Sequence, residues 1–309
     1  MKRIALCLGA LAAALPLCAS QAASPTPQPS TRHAAGSPLP LDFSIVPAKP
    51  ILTQKGLTDP RNRIFRYSVN PGQTLSDVVA IVNRAKTPMH LGVRVSDAVT
   101  SPQGGGITFN DSSSSQQTVG RWLTLNAKAS NVTIPSSSGA LIGMTLQVPA
   151  TTPPGEYEGA VSGINYDAQT IKQGKKIFHI HGQVRCLVYL RVHGHATMGL
   201  RIGKVTTTYR NGQTLLNMSV KNTGAVIDHV LAVLTFTRVG QHKPFAAQLP
   251  LGDILGGDTT SEVAPLNRSL LPSGIYRASI QVIYRGEPDE SGPLMTAQIT
   301  WQGMLSISS

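Results

Sequence analysis

Residues 177–192 read IFHIHGQVRCLVYLRV and contain the clearest pattern in the chain. One face of the alternation is apolar, namely Ile180, Val184, Cys186, Val188, Leu190 and Val192. The other face is largely polar and carries His179, His181, Gln183, Arg185, Arg191 and, just beyond, His193. A period of two over this length predicts one long β-strand with a single face on a core. Cys186 lies on the apolar face, so we expect a small buried hydrophobic residue rather than a nucleophile.

The same alternation recurs on both sides of this strand. Before it, apolar and polar residues alternate over 64–69, 75–83, 91–95, 141–148 and 157–164, separated by turn-forming glycine and proline. After it, a second series covers 200–205, 215–220, 230–236, 246–249, 275–283 and 295–301. No window has a convincing helical period. Strands at this spacing predict an all-β chain with two consecutive immunoglobulin-like β-sandwich domains, at residues 41–197 and 198–309.

The amino-terminal residues predict export. Lys2 and Arg3 precede an apolar run from Ile4 to Leu17, and Ser20-Gln21-Ala22 offers a cleavage site, so residues 1–22 are predicted to be a signal peptide. Lipidation at Cys18 is a weaker alternative, because Leu17 is large where a small residue is needed. Residues 23–40 form a Pro/Ser-rich linker. No apolar run of spanning length follows, so we expect no transmembrane segment in the mature chain and a periplasmic or cell-surface location.

Net charge and cysteine content limit the binding partners and the disulfide bonds that the chain can have. The 309-residue chain has a formal charge of +12, with 41% hydrophobic and 14% charged residues. A basic exported protein is attracted to anionic envelope polymers. Nucleic acid is disfavoured because the basic residues are dispersed, with no aromatic stacking motif among them. Cys7 and Cys18 leave with the signal peptide, so Cys186 has no partner for an intrachain disulfide.

The sequence contains no recognisable catalytic or metal-binding set. Glu156 and Glu158 flank Tyr157 and point the same way on a strand, which favours an exposed strand start over a catalytic pair. The pairs His179/His181 and His193/His195 would be about 45 Å apart on one extended strand, too far to share an ion. We therefore predict no enzymatic activity, no cofactor and no metal site, with exposed histidines.

Several motifs in the first predicted sandwich resemble a known family. They are Phe43-Ser-Ile45-Val-Pro47, Asp59-Pro60, Ile64-Phe65-Arg66-Tyr67, Asn70-Pro71-Gly72, Val82-Asn83, Trp122-Leu-Thr-Leu125, the turn from Pro149 to Gly155, and Tyr157-Glu-Gly159. Together they resemble the peptidoglycan-binding domain of the WxL-interacting protein family over about residues 41–193. The resemblance implies a cell-surface protein that binds the wall and a partner protein without catalysis.

Two functions follow from these observations. The first is an exported, non-enzymatic adhesion protein that binds cell-wall polymer or a surface protein, with Arg185, Arg191 and Trp122 as candidate binding residues. The alternative is a pilus-type periplasmic chaperone, which uses two immunoglobulin-like domains and adds a strand to a subunit. Such a chaperone needs a basic anchor for the subunit's terminal carboxylate. Arg185 and Arg191 would supply it only if their strand borders the cleft between the domains.

Overall fold

The computed structural model describes residues 42–48, 64–111, 115–126, 131–167, 169–174, 176–226, 228–267, 270–286 and 296–308. They belong to one compact unit, Leu41–Ser309. The predicted signal peptide, the linker, Cys18 and the Asp59-Pro60 motif lie outside the described residues. Within the described part of the chain, no helix combines the length and apolar character needed to cross a membrane.

In the described part of the chain, the first sandwich contains twelve strands and one turn of helix. Its elements are β1 (Phe43–Pro47), β2 (Phe65–Val69), β3 (Thr74–Asn83), β4 (Met89–Thr100), β5 (Ile107–Asn110), α1 (Val119–Trp122), β6 (Leu123–Leu125), β7 (Val132–Ile134), β8 (Gly139–Gln147), β9 (Gly155–Asn165), β10 (Gln169–Gln173), β11 (Lys176–Ile180) and β12 (Gln183–Val192). One sheet has the order β1-β3-β8-β6. The facing sheet has the order β2-β12-β9-β4-β5, with β7 also on β4, and β10 and β11 form a separate hairpin.

The second sandwich contains seven strands. They are β13 (Leu200–Arg210), β14 (Gln213–Asn222), β15 (Asp228–Arg238), β16 (Pro244–Ile254), β17 (Thr259–Pro265), β18 (Gly274–Gly286) and β19 (Thr296–Ile307). A three-stranded sheet, β13-β14-β17, faces a four-stranded sheet, β16-β15-β18-β19. The predicted boundary at residue 198 falls in the segment between β12 and β13, and it remains a prediction.

Each sandwich has its own apolar core, built by the alternation read from the sequence. The first core includes Val79, Ile81, Leu91, Met144, Leu146, Val161, Cys186, Val188 and Leu190. The second includes Leu216, Met218, Val220, Ala232, Leu234, Phe236, Ile280 and Val282. Residues two apart on a strand point to the same face, so each strand contributes every second side chain to its core. The prediction of an all-β chain with two immunoglobulin-like sandwiches is confirmed.

The segment 177–192 differs from the single strand that was predicted. His181 and Gly182 separate β11 from β12, and β11 leaves the sheet to pair with β10 alone. Cys186 is buried as predicted, whereas Ile180 is 41% exposed rather than buried. Alternation alone could not reveal this interruption, because the period continues through His181 and Gly182 without a break.

Both sandwiches contain the same tyrosine brace. The hydroxyl of Tyr157 donates to the carbonyl oxygen of Pro153 at 2.9 Å, and the hydroxyl of Tyr276 donates to that of Pro272 at 2.6 Å. A tyrosine near the start of a strand whose hydroxyl bonds to the backbone a few residues upstream is the tyrosine corner of immunoglobulin-like domains. The repeat makes β9 the structural counterpart of β18.

An asparagine brace is repeated in the same way. Asn83 ends β3, and its Nδ2 donates to the carbonyl oxygens of Thr87 and Ile134 at 3.0 and 3.1 Å. Asn222 ends β14, and its Nδ2 donates to the carbonyl oxygens of Val226 and Ile254 at 2.7 and 2.8 Å. Buried amides satisfied in this way fix the loop that follows each strand.

The turn between β4 and β5 joins the two sandwiches. The N–H of Gly104 donates to the carbonyl oxygen of Ser261 at 2.9 Å, and the N–H of Gly105 donates to Thr260 Oγ1 at 2.8 Å. Gly105 has φ +63°, and a Cβ placed on it would lie 1.5 Å from the carbonyl oxygen of Leu251. Only glycine fits here, so the close approach of the sandwiches depends on this turn.

Candidate functional site

The outer edge of β12 is only partly covered. On its inner side β9 pairs with it from Gln183 to Val192. On its outer side β2 runs parallel and pairs only with Val188–Val192. Residues 183–187 therefore present backbone groups that have no strand partner on that side among the described residues.

The β10–β11 hairpin continues this unpaired edge. Within the described residues β11 pairs only with β10, so its other side is also open. Three apolar residues of β11 are exposed: Ile177 at 58%, Phe178 at 43% and Ile180 at 41%. We call residues 176–180 and 183–187 the open edge. It combines backbone that no described strand pairs with on its outer side and apolar side chains in solvent.

Arg191 lies near the junction of the sandwiches, at the far end of β12 from the hairpin. It is opposite Glu156 on β9, and its Nη1 is 3.8 Å from Glu156 Oε1. The N–H of Glu156 donates to the carbonyl oxygen of Ala225 in the second sandwich at 2.8 Å. The prediction that Glu156 is exposed is wrong, because its side chain is buried beneath this arginine.

Arg185 is not close to Arg191. It lies in the open edge, and its Nη2 donates to Asp111 Oδ2 at 2.7 Å while the guanidinium lies 5.3 Å from the centroid of the Phe109 ring. The two arginines are six positions apart along β12, which corresponds to about 20 Å. The fold therefore places one predicted binding residue at the junction and the other on the open edge.

Trp122 packs within the first sandwich. It ends α1 and makes an edge-to-face contact with Tyr157, with ring centroids 5.0 Å apart. Burial raises the pKa of the Tyr157 hydroxyl. Both rings line a cavity of about 460 Å³ together with Pro149, Thr152 and Pro153. The tryptophan therefore packs against the tyrosine corner, and its ring makes no aromatic contact with the open edge among the described residues.

Sequence reasoning missed Arg66. This residue is opposite Tyr189 in the β2–β12 pairing, and its guanidinium lies 5.1 Å from the centroid of the Tyr189 ring. Ser68 lies two residues further along β2 and points to the same face as Arg66. It is opposite Arg191, and its Oγ lies 3.1 Å from His193 Nε2. The parallel pairing brings these groups together, and nothing in the local sequence signals a parallel partner.

The histidines lie on the surface, as predicted. His179, His181, His193 and His195 are all exposed. Among the described residues, no group of three or more potential ligands could hold a metal ion. Cys186 is 1% exposed, and desolvation raises the pKa of its thiol to about 12. Its thiolate is therefore disfavoured, as expected for a structural cysteine.

Comparisons with known proteins place the fold beside fimbrial chaperones. No family model matches the chain, and no curated protein matches it. A chaperone–tip adhesin complex of CFA/I fimbriae matches at 12% identity and TM-score 0.40, covering 83% of this chain and 97% of the other. The CsuC–CsuE chaperone–tip adhesion subunit complex of Acinetobacter baumannii matches at 14% identity and TM-score 0.39, covering 76% and 94%. The Salmonella enterica SafA pilin–SafB chaperone complex matches at 10% identity and TM-score 0.37, covering 77% and 94%. At these identities the likeness concerns the fold.

The resemblance to the WxL-interacting protein family is wrong. No family model matches the chain, and several of the similar solved structures are pilus or fimbrial chaperones. Two of the motifs that suggested it are general braces of the fold. Asn83 and Tyr157 have counterparts in Asn222 and Tyr276 of the second sandwich, which bond to backbone carbonyl oxygens at equivalent positions. Motifs that recur for structural reasons identify a fold class and carry no information about a wall ligand.

The adhesion function predicted first is corrected together with the family. Its wall-polymer partner rested on that resemblance and on net charge, and the similar structures are chaperones instead. The prediction of an exported protein, periplasmic or at the cell surface, agrees with the fimbrial setting of these structures.

Proposed function

We propose that this protein is an exported chaperone that lends its open edge to a partner subunit by strand addition. The observation that carries the proposal is the open edge itself. Its β12 residues 183–187 have no outer strand partner among the described residues, while β2 covers only Val188–Val192. Proteins normally protect such edges, because unpaired N–H and C=O groups are a template for another strand.

The side chains of the hairpin favour an apolar partner groove. Phe178 and Ile180 are two residues apart, so they point to one face of β11, and both are exposed. In strand addition the backbone supplies affinity, and alternate side chains entering pockets supply specificity. The partner that fits is a β-sandwich subunit with an uncovered core. Among the similar structures, one chaperone is in complex with a tip adhesin and another with a pilin.

The junction arginine suits an anchoring role. Arg191 is half-buried against Glu156. Arg66 lies on the neighbouring strand β2, two residues before the residue that is opposite Arg191. Partial burial strengthens the attraction of a guanidinium for a carboxylate. In the proposed complex this end of β12 receives an acidic or terminal carboxylate of the subunit. Arg185 stays bound to Asp111 and takes no part in anchoring. No step in this function requires catalysis or a cofactor.

The experiment is affinity capture from an envelope extract with a matched control. We expect the mature protein to retain a β-rich subunit in 1 M salt, because backbone hydrogen bonds and buried apolar contacts are weakly screened. Ile180→Glu should abolish capture by placing a charge in the partner groove. Ile275→Glu, at a residue of β18 that is 56% exposed, should leave capture unchanged. Capture lost in 1 M salt, or insensitive to Ile180→Glu, would contradict strand addition.

A further inference from the structure

Ser162 lies between two arginines. It is opposite Arg185 on β12 and opposite Arg94 on β4, so the three residues form one row across three strands. Side chains directly opposite each other have Cβ atoms about 4.5–5.5 Å apart. Arg185 already binds Asp111, whereas the guanidinium of Arg94 has no hydrogen bond or ion pair within the described part of the chain.

A cavity opens beside this row. Its volume is about 800 Å³, and its lining includes Arg94, Asp111, Gln116 and Arg121. It lies along a gap in the edge of β4, because β7 pairs only with Met89–Leu91 and β5 only with Asp97–Thr100. The side chain of Arg121, like that of Arg94, makes no hydrogen bond or ion pair among the described residues.

We propose that this arginine cavity binds a phosphate group. Its lining includes Arg94 and Arg121, and neither side chain has a carboxylate partner among the described residues. Arg94 and Arg121 together balance a dianion, and arginine matches the geometry of phosphate oxygens. A single carboxylate would satisfy only one guanidinium, as Asp111 does for Arg185. The volume is typical of small-molecule sites, so the phosphate can carry an organic group.

The first test is calorimetric titration of the full mature protein with inorganic phosphate. We expect saturable binding that weakens at least about tenfold in Arg94→Gln, since hydrogen bonds to charged groups contribute that much or more. Arg201→Gln removes the same charge from an exposed residue of β13 and should change the affinity less than twofold. Equal weakening in both variants would mean diffuse attraction to a basic protein and would overturn the proposal.

Further binding experiments identify which kind of phosphate compound the cavity takes. Acetate should bind at least about tenfold more weakly than phosphate, and equal binding would contradict a phosphate site. Vesicles of phosphatidylcholine with and without phosphatidic acid test a lipid headgroup. Binding to phosphatidic acid that is lost in Arg94→Gln assigns the site to headgroups, and phosphate binding without vesicle binding assigns it to a soluble ester. Absence of binding to both overturns the inference.

Discussion

At the scale of single residues, two tyrosines hold equivalent corners of the two sandwiches. Tyr157 and Tyr276 each donate a hydroxyl to the carbonyl oxygen of the proline four residues earlier. Each corner fixes the start of a central strand, β9 or β18, on which the neighbouring strands assemble. Loss of such a bond removes the hydrogen bond that fixes the start of the strand, and it therefore reduces stability.

Replacement of the second tyrosine tests this residue-scale account. Tyr276→Phe should lower the free energy of unfolding by about 1 kcal/mol, because the hydroxyl bond to Pro272 is lost while the ring stays packed. Urea denaturation at neutral pH measures the change. Tyr209→Phe is the control, since Tyr209 is exposed and its hydroxyl should contribute little. Equal effects of the two substitutions would contradict the brace.

At the scale of elements, alternation predicted the strands well and their partners poorly. The period of two identified β12 and its buried face, including Cys186, since a strand must direct one face to the core. It gave no sign that β11 leaves the sheet or that β2 pairs in parallel with only half of β12. The open edge depends on which strand lies alongside, a long-range property that one strand's pattern does not contain. For the same reason Arg185 and Arg191 were predicted as one anchor, although the fold separates them.

The β4–β5 turn is one of the contacts between the sandwiches, and glycine is essential to it. Gly105→Ala should detach the turn, because its Cβ would collide with the carbonyl oxygen of Leu251. We expect the single cooperative unfolding transition to split into two in calorimetry, with an increased radius of gyration in X-ray scattering. Gly212→Ala is the matched control: Gly212 also has positive φ, at +76°, but no atom lies within 4 Å of the added Cβ. An unchanged single transition in Gly105→Ala would contradict this role.

At the scale of the whole molecule, two similar sandwiches differ in what they leave uncovered. They share the tyrosine and asparagine braces. Among the described residues, the first sandwich alone has a separate hairpin, with exposed Ile177, Phe178 and Ile180. The turn at Gly105 holds the second sandwich against the first. In the proposed function, the first sandwich therefore offers the open edge, and the second sandwich fixes the junction beside Arg191.

Hydrogen exchange of the captured complex tests the strand-addition proposal most directly. In the free protein the outer-facing amides of residues 176–180 and 183–187 should exchange rapidly, since no described strand protects them. In the complex, mass spectrometry should find strong new protection at these residues and little change across β16 and β19. Protection that appears elsewhere while the open edge continues to exchange rapidly would contradict strand addition.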